Sequence, residues 1–266
     1  MRRIVALAFV LAVGLALAPT RSVAGEPSYA DAKRAAALVL RSRLAKEDLG
    51  GSNSPDAYYS LTQCEPPEFT SGGAAPRTAF YADLAGGVFY WEYELPRIGY
   101  PERVWRPWVS SYEASIVATA RRVPASVDPF NIWEKSPQSK FDGLRRVLTA
   151  YREKHPRLPE IITGPEGCGG GEVPVKLITQ PTATRVVIIP SFFYELCRVR
   201  RIDPNDTARC AHWREVSGPI VQVSGDYHYI AKWRDGTVKR GMLDIESAAL
   251  PGGDDPNANT ITLRKP

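Results

Sequence analysis

Residues 221–245, VQVSGDYHYIAKWRDGTVKRGMLDI, constrain the fold more than any other stretch. Asp235-Gly236 lies between two runs of β-branched and aromatic residues. That dipeptide tolerates the positive φ that both central positions of a type I′ turn require. A two-residue loop sets the register, with Trp233 opposite Val238, Ala231 opposite Arg240 and Tyr229 opposite Met242. Side chains alternate along a strand, so Tyr227, Tyr229, Trp233, Val238 and Met242 are expected on one core-facing side. The other side then carries Lys232 opposite Lys239, and His228 opposite Leu243. Like charges across a pair repel, so Lys232 and Lys239 are expected in water, as candidate contacts for an acidic ligand.

The N-terminus is excluded from the fold. Arg2 and Arg3 precede an uncharged apolar run, residues 4–18, that is short for a bilayer span. Ser22 and Ala24 put small residues at −3 and −1 before Gly25. Residues 1–24 therefore read as a secretory signal peptide, and the destination as periplasmic or secreted. The first cysteine, Cys64, is far from that cleavage point, which excludes a lipoprotein anchor, and no later segment is apolar enough to serve as a transmembrane anchor. Loss of Arg2, Arg3 and Arg21 lowers the formal charge from +5 to +2, so the basic pI gives no reason to expect nucleic acid.

Behind an export signal, four cysteines predict two disulfides. Cys197–Cys210 is the local pairing, and Cys64–Cys168 follows by elimination.

Residues 28–49 have helical spacing at Ala36, Leu40 and Leu44, with Ser28 or Asp31 as cap. In residues 80–95, Phe89, Trp91, Tyr93 and Leu95 alternate with Tyr90, Glu92 and Glu94, which predicts a half-buried strand. Ser110 with Glu113 reads as a capping box opening a helix to residue 123. A further helix is expected from 139 to 154. Gly-rich residues 164–172 lack the Lys-Ser/Thr of a phosphate loop and read as a linker. The expected domains are 25–163, α+β, and 173–266, β-rich. Residues 173–178 and 185–189 are expected strands. Residues 191–202 fit a helix capped by Ser191 or a strand, and the helical alternative is favoured as one arm of a disulfide-linked α-hairpin reaching residue 216.

Val175-Lys176-Leu177-Ile178-Thr179-Gln180-Pro181-Thr182-Ala183-Thr184-Arg185-Val186, followed by Ser224-Gly225-Asp226-Tyr227-His228-Tyr229, resembles PEGA-type domains across residues 173–245. Thr182-Ala183 stands where that family has Gly-Ala, and residues 191–216 have no counterpart. The resemblance implies an extracytoplasmic β-sandwich module without catalysis. It carries over no functional residues.

The three histidines, His155, His212 and His228, form no metal-ligand spacing, so no metal or cofactor is expected. There is no nucleophile elbow. Glu92 and Glu94 are the one nameable catalytic pair. On one strand face their Cα atoms would lie about 6.5–7 Å apart, within the roughly 5–9.5 Å span of glycosidase carboxylates, although both would approach from the same side. Trp105-Arg106-Pro107-Trp108 reads as a Pro-containing loop whose rings, Trp105 and Trp108, are candidate ligand contacts. Arg198, Arg200, Arg201, Arg209 and Arg214 cluster around the expected disulfide hairpin, interspersed with Asp203, Asp206 and Glu215, and such mixed charge reads as a solvated face in preference to an anion site.

The expectation is an exported α+β protein with a helical and β N-terminal half and a sandwich-like C-terminal half. Its expected role is non-catalytic binding or scaffolding in the cell envelope, with a glycan or an envelope protein as partner. A secreted hydrolase acting on glycans is the alternative.

Overall fold

The computed structural model describes residues 26–44, 58–60, 76–122, 124, 138–162, 173–223, 226–243 and 259–266. The expected signal peptide, the Gly-rich linker, Cys64 and Cys168 lie outside the described residues. The fold is α+β, with two hydrophobic cores.

The first core is helical. α1 (Tyr29–Leu44) opens on a reciprocal cap in which Ser28 Oγ accepts the Asp31 N–H and Asp31 Oδ2 accepts the Ser28 N–H. Its buried face runs through Ala32, Ala36 and Leu40. α2 (Pro76–Arg97) occupies the segment expected to be a strand, and the expectation is corrected. Phe80, Leu84, Val88, Trp91 and Leu95 are buried at helical spacing, but so are Tyr81, Ala85 and Phe89. A helix that is apolar on most of its circumference lacks the polar stripe that reveals its period. Seven residues of it therefore alternate by accident.

α3 (Glu102–Arg122) begins two turns before the expected start at Ser110. Pro107 falls early in the helix and on its exposed side, where one missing hydrogen bond is tolerated in water. Ser110 and Glu113 are thus mid-helix and form no capping box. α4 (Gln138–Lys154) presents Leu144 and Leu148 to α3. Gly143 is a point of close approach, since a Cβ there would lie 2.3 Å from the Trp108 ring. β1 (Tyr58–Ser60) and β2 (Glu160–Ile162) form a small parallel pair.

The second core is a β-sandwich. β3 (Val173–Gln180) pairs with β6 (Ile220–Val223) and β9 (Thr260–Arg264) in a three-stranded mixed sheet. β4 (Arg185–Pro190) joins β5 (Arg214–Glu215), β7 (Tyr227–Lys232) and β8 (Val238–Leu243) in an antiparallel sheet of order β5-β4-β7-β8. The two inner faces enclose Val175, Leu177, Leu263, Ile188, Tyr227, Tyr229, Ala231, Trp233 and Leu243.

The β7–β8 hairpin is present, but its register differs by one residue. Lys232 lies opposite Val238, Ala231 opposite Lys239, Tyr229 opposite Gly241 and His228 opposite Met242. Gly236 N–H donates to Trp233 O, Trp233 N–H donates to Thr237 O, and Gly236 alone in the loop has positive φ. This is a type I turn followed by a left-handed glycine, a three-residue loop. One added loop residue turns every β8 side chain to the opposite face. Val238 and Met242 are consequently exposed, and Leu243 takes the core position. Gly241 lies under the Tyr229 ring, where a Cβ would come within 2.8 Å of a ring carbon.

Between the sheets and the helices sits α5 (Ser191–Val199), which follows β4 directly. Ile189, Phe192, Phe193, Leu196 and Cys197 belong to the helical core, and α5 packs against α1, β4 and β7.

Candidate functional site: the disulfide hairpin

Residues 191–215 combine a rigid scaffold with a concentration of cations. Ser191 does not cap α5: Pro190 holds the cap position and the buried Ser191 Oγ makes no hydrogen bond. The backbone instead fixes the helix start, with Ser191 N–H donating to Asp226 O. The helix ends in a Schellman motif. Ile202 N–H donates to Cys197 O and Arg201 N–H to Arg198 O, both at 2.9 Å. Arg201 fills the left-handed position, φ 59°, that this motif usually gives to glycine.

The Cys197–Cys210 bond closes the hairpin, with Cα atoms 5.8 Å apart and 13 residues of separation. Closing a loop of that size contributes about 3 kcal/mol on the chain-entropy account. The return arm is a run of turns leading into β5, not a second helix. Asp203 Oδ1 accepts the Asn205 N–H, and Asp206 Oδ1 accepts the N–H groups of Ala208 and Arg209. Such side-chain-to-backbone bonds hold a turn without helix or sheet. The Trp213 indole N–H donates to Pro204 O at 2.8 Å and ties the two ends of this arm together.

Two histidines brace α5. His212 stacks on Phe193 with centroids 4.1 Å apart, and His228 stacks on Tyr194 at 3.7 Å. Burial pushes both imidazoles down to about 4, with the nearby Arg198 charge adding to the effect at His228. Both rings are therefore neutral at pH 7. His212 is, with Arg201, one of two non-glycine residues of positive φ among the described residues.

Over this frame the arginines divide by partner. Arg198 is paired with Glu195 at 2.9 Å, and Arg214 lies over the Tyr227 ring. Arg201 and Arg209 are exposed and have no carboxylate partner among the described residues. The interspersed acids do not neutralise them, because Asp203 and Asp206 are turned onto backbone N–H groups of their own turn.

The other sequence-expected residues do not converge on a site. Trp105 and Trp108 are on α3, not in a loop. Trp105 is fully buried, with its indole N–H donated to Tyr100 O at 3.0 Å. Trp108 is half-buried against Gly143. Neither ring is the exposed platform expected of it.

Positions 92 and 94 lie on a helix, where neighbours two apart are about 200° around the axis, so the strand-face pairing does not arise, and the Glu94 side chain lies outside the described residues. Glu92 is instead in an interhelical cluster: the Lys33 ammonium contacts Glu92 at 3.3 Å and Glu113 at 2.7 Å, and the Tyr29 hydroxyl donates to Glu113. Burial first, and the Glu113 charge second, raise the Tyr29 phenol far above its ordinary value. The cluster joins α1, α2 and α3, with one ammonium shared between two carboxylates.

Lys232 and Lys239 are not cross-strand neighbours and point to opposite faces of their sheet. Lys239 Nζ donates to Arg264 O and closes the sandwich edge.

Sequence reasoning named these arginines but read them as a solvated face, and it missed the left-handed Arg201 and the stacked histidines. A glycine would have marked the helix end; an arginine there carries no such sign. Among the described residues, no group of three His, Cys, Asp or Glu side chains converges to hold a metal ion, and no helix is long and apolar enough to cross a membrane. The chain matches no protein-family model, no curated protein and no solved structure.

Proposed function

We propose that this is an exported, non-catalytic binding or scaffolding protein of the cell envelope that engages an acidic partner through the disulfide hairpin. The observation that carries the reading is that Arg201 and Arg209, on a stapled frame, are exposed and have no carboxylate partner among the described residues. Guanidinium groups suit bidentate capture of carboxylates, and a rigid frame lowers the entropy lost on binding. The export signal in residues 1–24 and the expected disulfides support the envelope as location. The hydrolase alternative draws nothing from Glu92, which Lys33 holds in an interhelical ion pair.

The test is cross-linking of the protein in envelope fractions, comparing wild type with the Arg201→Glu, Arg209→Glu double variant. A carboxylate-rich protein or glycan recovered by wild type and lost by the folded double variant is the expected result. The recovered protein should begin at Gly25 by intact mass. Identical recovery by both chains would overturn the hairpin as the binding surface.

A further inference from the structure

The strand β8 ends its sheet. In the order β5-β4-β7-β8 only one side of β8 is paired, and nothing among the described residues pairs with the other. The ladder identifies which groups are left open. Trp233 N–H donates to Thr237 O, and Lys232 O is turned away from β8 to accept the Thr184 N–H on the β4 side. Hydrogen-bonded and non-bonded pairs alternate in an antiparallel ladder. Ala231–Lys239, Tyr229–Gly241 and Tyr227–Leu243 are therefore the bonded pairs. Val238, Arg240 and Met242 turn their N–H and C=O groups to the free edge.

The same three residues put their side chains on one face, the face away from the sandwich core. Val238 is 36% and Met242 44% exposed, and Arg240 is exposed between them. Cations dominate this hairpin. Lys232, Arg234 and Arg240 are exposed, and its one acid, Asp235, is bonded to Lys265, which holds that carboxyl down at about 2.

Edge strands are commonly guarded by charge so that they do not pair indiscriminately. Here the guard also selects. Edge-to-edge pairing of two copies, antiparallel about Arg240, would set Arg240 opposite Arg240, and like charges directly opposite destabilise a pair. An incoming strand with an acid at that position, flanked two residues away on each side by apolar residues, meets Arg240, Val238 and Met242 in matching order.

We infer that the free edge of β8 is a docking site for an acidic, extended segment of a partner protein, of pattern apolar-x-acid-x-apolar, added as a fifth strand. Main-chain bonds to residues 238, 240 and 242 would supply affinity, and Arg240 the selectivity. This surface is separate from the disulfide hairpin, and its binding mode is different.

The test uses a capped heptapeptide, TVTETVT, and its TVTKTVT counterpart, with affinity measured by fluorescence anisotropy and amide exchange followed by NMR. Expected are slowed exchange at Val238, Arg240 and Met242 and at least tenfold tighter binding of the glutamate peptide. Arg240→Glu should reverse the preference. Met242→Pro removes an outward N–H without breaking a bond to β7, and should abolish binding while near-ultraviolet circular dichroism stays native. The Arg201→Glu, Arg209→Glu protein should bind the peptide as wild type does.

Absent protection, equal affinity for the two peptides, an unchanged preference in Arg240→Glu, or wild-type binding by folded Met242→Pro would each overturn the assignment. Loss of binding in the hairpin double variant would move the site away from β8.

Discussion

The end of α5 and the end of α2 are built alike, and one residue separates them. In α2, Tyr100 N–H donates to Leu95 O and Gly99 N–H to Pro96 O, with Gly99 left-handed at φ 96°. In α5 the corresponding bonds run from Ile202 and Arg201, and the left-handed residue is an arginine. An L-residue in that region costs about 1–2 kcal/mol, whereas glycine returns about 0.5–1 kcal/mol of that gain through its looser unfolded chain. Arg201→Gly should therefore raise stability by about 0.5–1 kcal/mol in urea titration. A destabilised variant would show that the Arg201 side chain contributes more to the fold than its left-handed backbone costs. Nothing in the local sequence announces this position, because the motif is recognised by its glycine and the glycine is missing.

At the level of elements, the sequence was legible where one face is wet and obscure where none is. α1 has a polar side, and its Ser28 cap and the buried Ala36 and Leu40 match the expected stripe, while the Leu44 side chain lies outside the described residues. α2 is enclosed on most sides, and its aromatic run imitated a strand. α3 was read from its second half only, since Pro107 stood in for a boundary that the exposed side of the helix does not impose. Where α3 meets α4, Gly143 admits the Trp108 ring. In an isolated helix Gly→Ala gains about 1 kcal/mol. In the folded protein Gly143→Ala should instead cost about 1–3 kcal/mol, as overpacking does, and lower the urea midpoint. A raised midpoint would mean that α3 and α4 are not in contact at this point. The β7–β8 hairpin teaches a related lesson: Asp235-Gly236 marks a turn, but the number of loop residues decides which face each β8 side chain takes.

Across the whole molecule, α5 packs against both the helices and the four-stranded sheet. Its apolar face enters the helical core, while Tyr194 stacks on His228 of the four-stranded sheet. His212 and His228 are held near 4, against 6.5 in an unfolded chain, so on acidification the unfolded state takes up protons first. Their contribution to stability is complete above pH 6.5 and is lost as pH falls through 4. The melting temperature should be level from pH 8 to 6.5 and decline from pH 6.5 to 4, with a shallower decline in the His212→Asn, His228→Gln variant. An equal decline in that variant would assign the acid sensitivity to other groups. The α+β class and the Cys197–Cys210 staple were expected from residue pattern and cysteine spacing, whereas the pattern from 173 onward gave only β-rich structure and a sandwich was implied by the PEGA-type resemblance.

The sequence alone determined what depends on neighbours along the chain: the cap at Ser28, the turn at Asp235-Gly236, the local disulfide and the alternation of β7. Those rest on short-range sterics and hydrogen bonds, which act whatever the rest of the chain does. Tertiary structure decided what depends on who lies opposite. It made α2 a helix by enclosing it, sent Trp105 into the core, and turned Val238 and Met242 outward by a one-residue shift. It also left Arg201 exposed, with no carboxylate partner among the described residues, by turning the nearby aspartates onto their own backbone. Burial, register and pairing are properties of surfaces brought together, and no window of sequence contains both partners.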